Sequence, residues 1–130
     1  MPVNIFTETH QGQEVLIMEN VDPTHEEAVD GFARIHDEIM KAPDDTVRFV
    51  LDASRSNYYS DISDKWKEAA PRLNPKVISA AVVTESFPIR MAVKAFLVFT
   101  RTMRSTPFRD VAVFARKEDA VNHVASATQA

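Results

Sequence analysis

The spacing of hydrophobic residues near the N-terminus predicts a β-hairpin. Two β-rich segments, Val3 to Thr9 and Gln13 to Asn20, flank His10-Gln11-Gly12. Glycine can adopt the left-handed backbone that a tight turn requires. Apolar residues are consecutive from Val15 to Met18, which is typical of a strand covered on both faces.

A helix is predicted to follow, because Asp22 can cap its N-terminus and Pro23 suits its first position. It should end near Ala42, since Pro43 disfavours helical geometry in the residue before it. Gly31 lies inside this helix, where glycine costs stability, and this predicts a close contact with the sheet. The predicted buried stripe, at three- and four-residue spacing, is Ala28, Phe32, Ile35 and Ile39.

The rest of the chain alternates between short apolar strands and amphipathic helices. Strands are predicted at 47–51, 77–83 and 111–114, with a polar loop over 52–60. Helices are predicted at 62–73, where Pro71 and Pro75 should stop the helix, at 87–104 and at 118–127. The predicted buried stripe of helix 62–73 is Ile62, Trp66, Ala69 and Leu73. That of helix 87–104 is Ile89, Val93, Phe96, Leu97 and Thr100.

This order, ββαβαβαβα, predicts one α/β domain over residues 1–130. Strands that alternate with helices form a mostly parallel sheet with right-handed crossovers. We therefore expect a five-stranded sheet in which the N-terminal hairpin adds one antiparallel edge strand.

Composition and charge exclude several classes of protein. The chain is 45% hydrophobic with a net charge of −4, and the sparse bases Arg101, Arg104 and Arg109 form no stripe, so we expect no nucleic-acid partner. The absence of cysteine excludes disulfides, zinc-thiolate sites and thiol nucleophiles. The longest strongly apolar run, Ala95 to Phe99, is too short to span a bilayer. With no signal-peptide pattern at the N-terminus, a cytoplasmic protein is expected.

Motifs for catalysis and cofactor binding are also missing from the sequence. Two glycines are too few for a phosphate-binding loop. His25 and His36 share a helix but lie about 16 Å apart along its axis, so they cannot share a metal ion, and the other two histidines are isolated. A hydrolase site at Asp52 and Ser54 has no histidine near it and no Gly-x-Ser-x-Gly. We therefore expect no enzyme, no cofactor and no metal.

The loops at the carboxyl ends of the third and fourth strands form one candidate site, because open α/β sheets bind ligands at that edge. Helix N–H groups with Arg55 or Arg90 could hold a small anion there. The alternative is that these are ordinary loop and capping residues, or that two tyrosines contact a protein partner. The candidate residues are Asp52, Ser54, Arg55, Ser56, Tyr58, Tyr59, Thr84, Ser86 and Arg90.

Helix 87–104 forms a second candidate, since its apolar arc is wider than one buried stripe. Such an arc indicates a dimer face or the wall of an apolar pocket. The alternative is a helix that a neighbouring loop covers more fully than usual. The candidate residues of this apolar surface are Met91, Val98, Phe99 and Met103.

In this order, the segments resemble the SpoIIAA-like family of STAS-type domains, which are related to anti-sigma-factor antagonists. The resemblance covers nearly the whole chain. Family members have an Asn-x-Pro-type element before an apolar strand, and here Leu73-Asn74-Pro75-Lys76-Val77 leads into Ala80-Ala81-Val82-Val83. Members close with a strand and a helix, which here are Val111-Ala112-Val113-Phe114 and then Glu118-Asp119-Ala120 and Val124.

The chain departs from the antagonists in the loop after the third strand. Antagonists carry an Asp-Ser-Ser-Gly-like element there, whose serine is phosphorylated to switch partner binding. Residues 52–63 contain serines but no such element and no glycine, and an ungapped comparison places Asp61 near the phosphoserine position. The resemblance therefore implies the fold without this switch.

The resemblance implies a non-enzymatic regulatory or protein-interaction module of bacterial signalling, which acts on a protein partner or as a homodimer. The alternative is a carrier of a small apolar or lipid-like ligand, held between helix 87–104 and the sheet. An enzyme working at the strand-end loops has the least support, because no acid–base pair is evident there.

Overall fold

A computed structural model describes residues 2–56, 62–102 and 111–128, with all side chains in these ranges except those of residues 63, 96 and 99–102. The strands are β1 (Val3–His10), β2 (Gln13–Asn20), β3 (Val47–Asp52), β4 (Val77–Val83) and β5 (Val111–Phe114). The helices are α1 (His25–Met40), α2 (Ser63–Leu73), α3 (Phe87–Thr102) and α4 (Lys117–Ser126), with a 3₁₀ turn, Asn74–Lys76, between α2 and β4. The predicted order of elements is confirmed.

The five strands lie side by side in the order of the sequence. Strands β1 and β2 are antiparallel, and β2 to β5 are parallel. The turn of the predicted hairpin has positive φ at both central residues, 53° at Gln11 and 75° at Gly12, as a two-residue turn between twisted strands requires. The mostly parallel sheet with one antiparallel strand is therefore confirmed.

Both faces of the sheet are covered. Ile35 and Ile39 of α1 and Ala69 and Leu73 of α2 pack on one face, together with Met18. On the other face, buried residues of α4 pack against the sheet; this cluster is Val15, Ile17, Val50, Ala81, Val83, Ala120, Val121, Val124 and Ala125. Successive residues of β2 thus enter opposite cores, which confirms the prediction of a strand covered on both faces.

The start of α1 differs from the prediction, which placed the cap at Asp22. Asp22 has a φ of 43°, outside the helix, and Thr24 is the N-cap. The Thr24 hydroxyl accepts a hydrogen bond from the Glu27 backbone N–H at 3.1 Å, and the Glu27 carboxylate accepts one from the Thr24 N–H at 2.8 Å. This reciprocal capping box satisfies two N–H groups at once, so the helix begins two residues after Pro23.

Gly31 makes the close contact with the sheet that the sequence predicted. A methyl group added there would lie 2.8 Å from Cγ1 of Val3 and 3.1 Å from Cε of Met18. The absent side chain therefore lets α1 pack close to β1 and β2.

The end of α2 corrects a second prediction, because Pro71 does not stop the helix but lies inside it. Pro71 lacks the N–H that would bond to the Lys67 carbonyl, yet the helix continues for two residues beyond it. The helix ends at Leu73, and Pro75 falls within the 3₁₀ turn that follows.

Arg48 joins α4 to the middle of the sheet. Its side chain is buried on β3, and its guanidinium donates from Nε to the Val124 carbonyl at 3.0 Å and from Nη2 to the Ala127 carbonyl at 2.9 Å. Carbonyl groups at a helix C-terminus lack partners within the helix and carry partial negative charge. Arg48 therefore fixes the C-terminal end of the helix that covers this face.

Candidate functional site

The loops after β3 and β4 lie side by side at the carboxyl edge of the sheet. Backbone hydrogen bonds continue past the strand ends, from the Ala53 N–H to the Val83 carbonyl and from the Thr84 N–H to the Phe114 carbonyl, both at 2.9 Å. The structure therefore brings the described candidates of the two loops to one edge, as the parallel order predicts.

In the loop after β3, the side chains of Asp52 and Ser56 form hydrogen bonds with backbone groups. Asp52 is 4% exposed, and its Oδ1 accepts a hydrogen bond from the Ser54 N–H at 3.0 Å. The buried Ser56 hydroxyl donates to the Asn20 carbonyl at 2.8 Å and accepts from the Asp22 N–H at 2.9 Å. Ser56 thus ties this loop to the loop after β2.

In the loop after β4, the candidates organise the start of α3. Fully buried Thr84 accepts a hydrogen bond at Oγ1 from the Ser86 N–H at 3.0 Å. The Ser86 hydroxyl lies 3.5 Å from the Ile89 N–H, in the position of an N-terminal cap. Arg90 donates from Nη2 to the Thr84 carbonyl at 3.4 Å. These three side chains therefore fix the angle at which α3 leaves the sheet.

Two atoms at this edge are buried without a hydrogen-bond partner among the described residues: Oδ1 of Asn20 and Nε of Arg90. Arg55 differs from them, since its side chain is 67% exposed and lies 4.0 Å from the Glu19 carboxylate. Anion binding by Arg55 or Arg90 stays a prediction. Tyr58, Tyr59 and the Asp61 position of the family comparison lie outside the described residues.

Helix α3 exposes large apolar side chains along one face. Phe87 is 71% exposed, Met91 47% and Val98 62%. Spacings of four and seven residues place these side chains on one side of a helix. Lys94, also exposed, lies on the same side between Met91 and Val98. We call Phe87, Met91, Lys94 and Val98 the α3 stripe.

The opposite side of α3 faces the protein, with Ile89 at 5% and Leu97 at 9% exposed. Of the residues predicted for the apolar surface, Met91 and Val98 are exposed; the Phe99 side chain and all of Met103 lie outside what the structure describes. The sequence prediction missed Phe87, which lies one helical turn before Met91. Helical spacing from Met91 would have found it.

A second polar cluster joins the hairpin to α4. The Glu8 carboxylate lies 2.9 Å from Nε2 of His10 and 3.0 Å from Nζ of Lys117, and Nζ also lies 5.4 Å from the Phe6 ring centroid. The hydrogen bond with His10, and then that with Lys117, hold the pKa of Glu8 below its ordinary value of 4.5. The cluster was not predicted, because its members come from opposite ends of the chain.

The described part of the chain contains neither a candidate metal site nor a candidate membrane-spanning helix. No three His, Asp or Glu side chains there lie close enough together to share a metal ion. None of the helices in those same ranges has the length and apolar character needed to cross a membrane.

No protein-family model matches this chain, and no curated protein matches it. A solved structure is similar: an uncharacterised protein of the DUF3478 family from Shewanella loihica PV-4, described as having a SpoIIAA-like fold. The two chains are 16% identical with a TM-score of 0.66, and the match covers 94% of this chain and 93% of the other. The element Asn74–Lys76 that carried the resemblance forms the turn before β4. The chain therefore has a SpoIIAA-like fold, as its sequence predicted.

Proposed function

We propose that this chain is a non-enzymatic regulatory module that binds another protein through the α3 stripe. The observation that carries the proposal is the exposure of Phe87, Met91 and Val98 on one helix face. Exposed large apolar side chains grouped on one helix face are typical of interaction sites. Burying such side chains contributes roughly 25 cal/mol per Å² of apolar area, which favours association.

Three buried polar side chains of the carboxyl edge support a non-enzymatic module, because they already serve the fold. Asp52, Ser56 and Thr84 are bonded to backbone groups. A nucleophile or general base must instead be free to reach a substrate atom. The bond of Thr84, together with those of Ser86 and Arg90, fixes the start of α3 and with it the direction in which the stripe points.

Photo-crosslinking in cells of the source organism tests the proposal. A benzoylphenylalanine at Met91 should give a discrete adduct with one protein, while the same group at Glu38, an exposed residue of α1, should not. Equal adducts at both positions, or none at Met91, would contradict the proposal. Native mass spectrometry separates the alternative carrier function, since a copurifying small molecule would favour a carrier.

A further inference from the structure

The charge of α3 differs from that of the whole chain. The helix contains Arg90, Lys94 and Arg101 and no acidic residue, whereas the chain as a whole has a net charge of −4. Glu85, exposed, precedes the helix by two residues. The positive end of the helix dipole at Phe87 adds to the positive potential. The α3 stripe is thus an apolar surface in a basic setting on an acidic protein.

Lys94 has no carboxylate partner among the described residues, unlike several bases on the other helices. Arg34 lies 3.3 Å from Asp30 on α1, and Lys41 lies 3.3 Å from Glu38. Lys117 at the start of α4 lies 3.0 Å from Glu8. An unneutralised ammonium group within an apolar stripe favours a partner that brings its own negative charge.

We infer that the α3 stripe takes an amphipathic helix of another protein, whose apolar face is flanked by Asp or Glu. This rests on the proposed function and names the partner's chemistry. Phe87 to Val98 spans about 16 Å, or three turns, which suits the i, i+3 or i+4, and i+7 anchors of a partner helix. A contact this small is at the weak, transient end of protein interfaces.

A second copy of this chain fits the stripe less well. Pairing α3 with α3 about a two-fold axis would bring Lys94 and Arg90 toward the same residues of the other copy. Like charges brought together at an interface are destabilising. The electrostatics therefore favour an acidic partner over self-association.

The test uses two stapled, fluorescein-labelled peptides of about four helical turns. Both carry the same leucine stripe, flanked by Glu in one and by Lys in the other. Binding to the full chain is followed by fluorescence anisotropy at about 20 mM and about 150 mM salt. The variants are Lys94→Glu and, as a matched charge reversal, Lys41→Glu, which changes an exposed lysine directly after α1.

The Glu peptide should bind with a micromolar Kd that rises with salt. Lys94→Glu should weaken this binding about fivefold and strengthen binding of the Lys peptide, since one surface charge pair becomes a repulsion. Lys41→Glu should change neither value.

Equal binding of both peptides, insensitive to salt and to Lys94→Glu but lost in Met91→Glu, would overturn the acidic-partner inference and leave the α3 stripe as the binding surface. No binding of either peptide, with a protein adduct still formed at Met91, would also overturn it.

Phosphatidylglycerol vesicles that bind the chain in place of the Glu peptide would identify a membrane as the occupant. A dimer that Met91→Glu dissociates would identify a second copy. Failure of the Met91 crosslink would instead refute the proposed function itself.

Discussion

Replacing Arg48 with methionine keeps the aliphatic stem and removes both hydrogen bonds to the end of α4. Hydrogen bonds from a charged donor contribute about 1.5–3 kcal/mol each, so the two together contribute about 3–6 kcal/mol. Burying the guanidinium offsets part of this, because removing a charge from water costs several kcal/mol. We expect Arg48→Met to lower the free energy of unfolding by about 2–3 kcal/mol.

Urea unfolding followed by circular dichroism measures this change. With an m-value of about 1–3 kcal/mol per M, the midpoint should fall by about 0.7–3 M. Arg48→Lys should lose about half as much, since one ammonium group cannot reproduce the fork of Arg at two carbonyls. Arg116→Met is the control: its side chain is 72% exposed and pairs with Asp119 at 3.4 Å, and such pairs contribute about 0–1 kcal/mol.

Hydrogen exchange gives the second measurement, because the loss should be concentrated in the amides of α4. An Arg48→Met protein as stable as the wild type, or more stable, would refute the reasoning. It would mean that the free-energy cost of removing the guanidinium from water equals or exceeds the contribution of both hydrogen bonds.

Two further predictions follow from contacts of the hairpin. Gly31→Ala should lower the free energy of unfolding in urea by about 1 kcal/mol, although alanine favours helix, because the new methyl group meets Val3. In a Val3→Ala background the same change should be neutral or stabilising. An equal loss of stability in both backgrounds would contradict the contact. Because the pKa of Glu8 is lowered in the folded protein, the carboxylate takes up a proton at higher pH in the unfolded chain than in the folded one. The charged carboxylate therefore contributes to stability above its ordinary pKa of 4.5, and this contribution is lost as the pH falls through the lowered pKa. Glu8→Gln should therefore flatten the pH dependence of the free energy of unfolding below the ordinary pKa of 4.5. An unchanged acid limb would show that the contacts of Glu8 with His10 and Lys117 contribute nothing to stability.

The sequence predicted the elements well because periodicity and β-branched runs are local signals. Its errors lay where two local signals competed. Asp22-Pro23 and Thr24-x-x-Glu27 both indicate the N-terminus of a helix. The structure has the cap at Thr24, where the reciprocal bonds of the capping box stabilise the helix start. Pro71 was predicted to stop α2, but the helix tolerates the lost N–H donor and continues to Leu73.

The candidate site was predicted only in part. Helical spacing placed Ile89 in the buried stripe of α3 and Met91 and Val98 on its apolar surface, but Phe87 was missed. Nothing local to Ser56 indicates that its hydroxyl bridges to the backbone at Asn20 and Asp22. Contacts between distant segments carry no short-range pattern.

The position of α4 in the chain has a consequence for folding during synthesis. Among the described residues, α4 supplies the buried helical residues of the cluster that includes Val15, Ile17 and Val50. This helix follows strands β1 to β5 in the chain. At a translation rate of about 5–20 residues per second, that apolar face stays exposed for seconds after the first strands emerge from the ribosome. A nascent chain stalled before Lys117 would therefore be a substrate for chaperones, and release of α4 would end that dependence.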